Sequence, residues 1–414
     1  MRPSANGVPD DEAPDRWRML LLVACAELLG MSVWFAGSAV APELQQRWSL
    51  SSAQVGWLTT AVQLGFVGGT ALSALLNLAD IVAARRLFAV SALLAAAINL
   101  LLPVVPSFSQ ALITRALCGA ALAGVYPPAM KMAATWFRAR RGMAVGAVVG
   151  ALTVGKAGPY LAYVVPGVTL SGVVAVTSGA TALAAALVWL GYRDGPYAFP
   201  SRRFSWQLIT TVTRTRRWRL AMGGYLGHMA ELYSYWTWIP AFLLASAAAH
   251  GDMAHGDMAH GDMGQHPERT VAWVSALSFA VIAVGGAGCL WGGVVADRIG
   301  RERLVVIAMA ISGTCGALIG FAFGGSWWIL APLALVWGFF VIADSAQFSV
   351  LVTESVPPHA VGTALTMQTS LGFLLTTITI QLVPWMQARA GWAWAFALLS
   401  LGPMAGIVAI RRLR

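Results

Sequence analysis

The sequence predicts an all-α membrane protein of twelve transmembrane helices in two pseudo-symmetric six-helix bundles. Three observations predict it. The 414 residues are 58% hydrophobic and 11% charged, with a mean hydropathy of +0.70. That is more apolar surface than a soluble core could bury, so lipid must be the solvent for most of it. Twelve apolar segments run along the chain, and Arg falls almost wholly into alternate gaps between them. The two halves also echo one another in short polar motifs.

Taken in order, residues 1–16 form a Pro- and Asp-rich tail expected to be disordered. Segments at 17–41, 53–78, 87–103, 108–133, 142–164 and 171–191 make the first bundle, 17–191. A linker, 192–218, carries Arg193, Arg202, Arg203, Arg214, Arg216 and Arg217. Segments at 219–246, 270–295, 304–324, 327–352, 362–386 and 392–410 make the second bundle, 219–410, with an outer loop at 247–268 and a tail at 411–414. At ~1.5 Å per residue each segment reaches across a ~30 Å hydrocarbon core. Ala39-Val40-Ala41 is similar to a signal cleavage site, but the apolar run before it contains Glu27 and exceeds the usual ~7–15 residues. It is therefore expected to stay as the first span. One set of gaps holds nearly all the loop Arg, and the opposite set holds Arg47, Arg269 and Arg389. The bias predicts an inner-membrane protein with both termini cytoplasmic. The net charge of +10 thus sets topology, and no nucleic-acid partner is expected.

Ala26-Glu27-Leu28 in the first segment matches Ala230-Glu231-Leu232 in the seventh, and Trp34 and Trp238 stand at equal distances beyond. Repeats of this kind build secondary transporters, with the solute site between them. The stretch Gly292-Gly293-Val294-Val295-Ala296-Asp297-Arg298-Ile299-Gly300-Arg301 resembles the loop signature of the major facilitator superfamily. A degraded first copy contains Asp80, Arg85 and Arg86. Arg115-Ala116-Leu117-Cys118-Gly119, with Gly124 and Pro127 beyond, is similar to that family's fourth-helix motif. The resemblance implies a twelve-helix, two-bundle transporter with a cytoplasmic gate at Asp80, Arg85, Gly293, Asp297, Arg298, Gly300 and Arg301. Gly292 and Gly293 are expected to let helices approach closely, and Asp297 with Arg298 and Arg301 to latch onto a neighbouring helix end. Gly155 to Pro159 resembles the antiporter motif only loosely, so it gives no direction of transport.

Charges inside the membrane are costly, which makes Glu27, Arg115, Lys156, Glu231 and Asp344 functional candidates. Helical spacing puts Glu27, Met31 and Trp34 on one stripe and His228, Glu231, Tyr235 and Trp238 on another. Arg115, Gly119, Leu122 and Tyr126 form a third, and Thr153, Lys156, Tyr160 and Tyr163 a fourth. These stripes, with Thr363, Thr366, Ser370, Thr377 and Gln381 in the eleventh segment, are expected to face a shared aqueous cavity. Glu27 and Glu231 are the preferred proton carriers, Arg115 a charge partner or anion anchor, Asp344 a further candidate. Structural ion pairing, such as Glu27 with Arg115, and simple packing of His228, Trp34 and Trp238 are the alternatives.

In the outer loop His250, Met253, His255, Met258, His260 and Met263 recur with Asp in a five-residue repeat. Thioether with imidazole suits copper-group ions, although a soluble spacer has the same look. No other cofactor is expected. Cys25, Cys118, Cys289 and Cys315 fall inside apolar segments and read as buried small hydrophobes. No nucleophile, metal cluster or phosphate loop marks an enzyme. The expected function is secondary transport of a small solute by a monomer, driven by protons. Multidrug or copper-group transport, or a membrane sensor with a metal-binding loop, are the alternatives.

Overall fold

The computed structural model describes residues 13–413 except 77, 139, 166, 198–204 and 255–266. The described elements are helical. α1 (Arg16–Gly30), α2 (Ser52–Leu75), α3 (Ala84–Asn99), α4 (Phe108–Leu122), α5 (Tyr126–Ala134), α6 (Arg141–Ala162) and α7 (Leu170–Gly191) make the first half. α8 (Arg216–Ala254), α9 (Pro267–Ile299), α10 (Arg301–Leu318), α11 (Trp327–Ala343), α12 (Ser345–Ser355), α13 (Val361–Ala390) and α14 (Leu401–Arg411) make the second. Among the described residues, nine helical spans are apolar and long enough to cross a bilayer. The other three of the expected twelve are the broken first span, the short α3 and the more polar α8.

Helix starts follow two rules. On the side away from the termini, Ser51, Ser107, Thr169 and Ser326 cap α2, α4, α7 and α11 by accepting from Gln54, Gln110, Gly172 and Trp328 N–H groups. On the termini side α3 and α6 begin instead on Arg85, Arg86 and Arg141, with no side-chain cap. A cation there opposes the helix dipole by ~0.3–1 kcal/mol. Topology, which needs positive charge on that side, outweighs it.

Within the first half α2 packs on α4, α3 on α7, and α1 on α6 and α7. Within the second, α8 packs on α13 and α14, α9 on α11, and α10 on α11 and α14. The halves meet along α6 with α9 and along α2 with α13. Exposed Leu93, Ile113, Val176, Leu183, Ile378 and Leu401 belong to the lipid-facing outside. Cys25 is also exposed, unlike the three other cysteines, which are buried as expected.

Two sequence expectations shift. α8 continues to Ala254, so the start of the expected outer loop is helix and the connection to α9 is shorter. Of the paired glycines, only Gly292 is a close-approach position: a Cβ there would meet the Ala343 carbonyl, whereas one at Gly293 would meet nothing. The tightest crossing in the first half joins α2 to α4, where Gly65 lies on the Ala116 carbonyl and Gly119 on that of Val62. A side chain at either must separate the helices. Gly119→Leu is expected to lower the thermal midpoint of the detergent-solubilised protein by the equivalent of ~1–3 kcal/mol or more. Gly179→Leu, which faces open space, should change it by less than ~0.5 kcal/mol.

Candidate functional site

The first span is not continuous. After α1 the chain makes a 3₁₀ turn at Met31–Val33 and resumes at Ala36–Ala39, which frees the Val33 and Trp34 carbonyls. Arg115 on α4 answers them: its Nη2 donates to both, at 2.8 and 2.7 Å, and its Nη1 donates to Asn99 Oδ1 at 2.8 Å. Asn99 then donates to Thr177 Oγ1 and Ser178 Oγ on α7. Arg115 is thus a clamp across the broken helix. It is not tied to Glu27: its Nη atoms donate to neutral acceptors, and its Nε is buried without a partner beside Gly37.

Glu27 and Lys156 are brought together where α1 crosses α6, at Gly155 against the Leu28 carbonyl. Glu27 is 0% exposed, and neither carboxyl oxygen has a hydrogen-bond partner. Lys156 is 1% exposed. The Lys156 Nζ donates to Tyr233 Oη at 2.6 Å. It also lies 4.1, 4.6 and 4.8 Å from the ring centroids of Trp34, Tyr233 and Trp236. Tyr233 and Trp236 belong to α8, so this aromatic cage spans the halves. Phe66 and Phe373 back it, their centroids 4.9 Å apart and 5.2 and 5.9 Å from Trp34.

Beyond the cage, away from the termini, polar side chains stitch α2 to α13. Thr376 Oγ1 donates to Gln63 Oε1, and Gln381 Nε2 donates to Thr60 Oγ1 at 3.5 Å. Trp238 Nε1 donates to the Ile380 carbonyl at 2.8 Å, which makes Trp238 part of this stitching.

The remaining charges sit inside the second half. Glu231 accepts from Ser312 Oγ and Trp337 Nε1, both at 2.8 Å. His228 Nδ1 lies 2.9 Å from Asp344 Oδ1, at ion-pair distance though not aligned as a hydrogen bond. Asp344 occupies the junction of α11 and α12. Tyr126, at the start of α5, is half-buried.

The expected stripe on α8, running through His228, Glu231 and Tyr235, therefore faces its own bundle. Tyr233 and Trp236, about 200° round the helix from Glu231 and Trp238 at ~100° per residue, face the other half. Sequence spacing found a polar face of α8 but not the one at the seam. On α13 likewise Phe373, Thr376 and Gln381 meet the first half, and Gln381 belongs to the expected stripe. Thr60, Gln63 and Phe66 on α2 gave no signal, being ordinary residues in an apolar run.

At the termini side the ion pair is Arg301 Nη1 with Glu354 Oε1 at 3.1 Å, both about half exposed. Asp297 and Arg298 are exposed, so the latch joins Arg301 to the end of α12. Gly300 has φ +91°, the turn that separates α9 from α10. Arg85 stacks 6.0 Å from the Trp189 ring. His250 lies on α8 with Nδ1 3.2 Å from the Gly324 carbonyl. His255, Met258, His260, Met263 and the side chains of Met253 and Asp80 lie outside the described residues. Among the described residues, no group of three His, Cys, Asp or Glu could hold a metal ion.

The chain matches the family described as Major Facilitator Superfamily over residues 22–375. Its fold is similar to the crystal structure of a bacterial homologue of the human lysosomal transporter Spinster, described as inward-facing and unoccupied. The TM-score is 0.64 at 16% identity, covering 97% of this chain and 96% of that one. Among curated proteins none matches.

Arg115→Met is expected to orphan the Val33, Trp34 and Asn99 oxygens at ~1–3 kcal/mol each, lowering the thermal midpoint and the folded yield. Arg115→Lys should restore only part of this, since one ammonium lacks the planar fork that reaches all three. An unchanged midpoint in Arg115→Met would show that the break does not depend on the clamp.

Proposed function

The chain belongs to the major facilitator superfamily, and on that premise we propose that it moves a small solute by alternating access at the seam between its halves, driven by protons. The Arg-rich gaps support an inner-membrane placement with both termini in the cytoplasm. One observation carries the proton assignment. Glu27 lies fully buried at the seam with both carboxyl oxygens unpartnered, beside a lysine whose own contacts cross to the other half. Burying a carboxylate without a donor costs several kcal/mol, so movement of the halves that rearranges Lys156 changes the proton affinity of Glu27. That links proton uptake to conformation. Glu231 has two donors within its own half and is a fixed structural group in this scheme. Access alternates as the aromatic cage and the α2–α13 stitching part.

In proteoliposomes with an imposed pH gradient, Glu27→Gln is expected to reduce uphill accumulation at least ~10-fold while leaving solute exchange. Glu231→Gln should stay within ~3-fold of wild type, because the amide oxygen can still accept from Trp337 Nε1 while the amide NH2 donates to the Ser312 hydroxyl. Full gradient-driven uptake in Glu27→Gln removes it as the carrier. Paired Gln63→Cys and Thr376→Cys, oxidised to a disulfide, should stop transport by holding α2 on α13, and reductant should restore it. Transport that survives the crosslink excludes parting of the halves there.

A further inference from the structure

We infer that the solute is an organic monoanion with an apolar body, whose carboxylate sits on Lys156 Nζ and Tyr233 Oη and whose body takes the place of the packed rings of Trp34, Phe66, Trp236 and Phe373. The inference rests on the transport reading above and names its cargo.

Lys156 is the cation left for a ligand. Among the described residues, the basic side chains buried in the membrane are Arg115, Lys156 and His228. Arg115 is held inside the first half by two backbone carbonyls and Asn99, with its one unpartnered nitrogen, Nε, packed beside Gly37, and His228 stands 2.9 Å from Asp344 inside the second half. An ammonium has three donors, and Lys156 gives one to an oxygen, that of Tyr233. The rest of its surface is covered by ring faces, which attract a cation less strongly than a desolvated carboxylate does. The cage therefore holds Lys156 at a position where an anion can outcompete it.

The same geometry opposes a cationic solute. Aromatic cages suit ammonium groups, but this one already encloses a tethered ammonium, and the seat of Gly155 on the Leu28 carbonyl keeps α6 from withdrawing it. A second cation would enter against a like charge at close range in a low-dielectric seam.

Charge balance fixes the valence and the partner ion. The empty seam holds one acid, Glu27, and one base, Lys156, and is neutral overall, whether they stand as ions or as neutral groups. Adding one monoanion together with one proton leaves it neutral again, with the proton on Glu27 and the carboxylate on Lys156. A dianion would leave an uncompensated charge between the bundles. One proton and one carboxylate thus travel together, with no net charge moved.

The test uses the full-length protein in lipid nanodiscs and reads its thermal midpoint with acetate, butanoate, benzoate and phenylacetate. Benzamide and benzylammonium serve as neutral and cationic matches. At least one carboxylate is expected to raise the midpoint by several degrees, with neither match doing so. The shift should vanish in Lys156→Gln. It should need several-fold more ligand in Tyr233→Phe, which keeps the ring and the packing and guards against misfolding of the lysine variant. Silence across the four carboxylates, a shift with benzylammonium, or a carboxylate shift unchanged in both variants overturns the inference. In proteoliposomes, uptake of the stabilising carboxylate should follow the pH gradient and ignore a potassium–valinomycin potential, and a potential-dependent rate overturns the one-to-one balance. Carboxylate binding without gradient-driven flux would sink the transport reading and leave the site. Gradient-driven flux of an amine would do the reverse.

Discussion

Within the bilayer every buried charge needs a partner, and the way this chain meets or withholds that partner organises the rest of the structure. Placing a charged side chain at the membrane centre costs ~2.5–3.5 kcal/mol on insertion scales, and a hydrogen bond to a charged group contributes ~1.5–3 kcal/mol. Arg115 has three such bonds and Glu231 two, so each is compensated inside its own half. His228 and Asp344 face each other within the second half, at 2.9 Å. Glu27 has none, and the oxygen that meets Lys156 belongs to the opposite half. The two charges least satisfied within their own bundle are the two at the seam. A pair whose environment depends on how the halves sit is sensitive to their movement, whereas the compensated charges are indifferent to it.

The same requirement explains where the backbone is irregular. A helix break in lipid leaves carbonyls that must find donors, and the break after α1 exists because a guanidinium is in place to supply them. In the second half the α11–α12 junction is occupied by Asp344, so both bundles put a charge where a span is interrupted. The α4–α5 junction runs through Ala123 to Val125, with Pro127 and Pro128 opening α5, where their missing N–H groups cost nothing. By contrast α8 and α13 run unbroken through Pro240 and Pro384. These continuous helices carry the second half's share of the cage, Tyr233, Trp236 and Phe373. The first half's share, Trp34, hangs from a break.

Much of the architecture was legible because lipid imposes a one-dimensional code. Apolar runs marked the spans, and the buried charges identified themselves by being expensive. What could not be read was pairing between distant helices. No Pro stands around Met31–Phe35, and the flanking Gly30 and Gly37 are two among many glycines in the apolar segments, so the break and the Arg115 contacts across it were not legible. The polar stripe on α8 was found correctly as a stripe but turned to the wrong neighbour, because periodicity gives a face and not its partner. Gln63 and Thr376 are 313 residues apart in a chain of 414, and their contact exists only in three dimensions. Of the residues expected in the latch, Asp297, Arg298 and Arg301, the loop motif names the cation that pairs, Arg301, but not its acid, Glu354, which comes from another helix.

The repeat in the sequence also shows how the two halves came to differ in use. Glu27 and Trp34 occupy the same relative positions as Glu231 and Trp238, yet their surroundings are opposite. Trp238 donates its indole N–H to the Ile380 carbonyl and helps close α8 and α2 onto α13, while Glu231 is tied to Ser312 and Trp337. Trp34 has no acceptor for its N–H and turns its ring to Lys156, while Glu27 has no donor at all. A buried indole N–H without an acceptor forfeits ~1–3 kcal/mol, which good ring packing and a cation at 4.1 Å can offset. The first copy therefore keeps its polar atoms unpaired and its ring face engaged, and the second does the opposite. One copy of the motif holds the structure together, and the other keeps its contacts available for something that comes and goes.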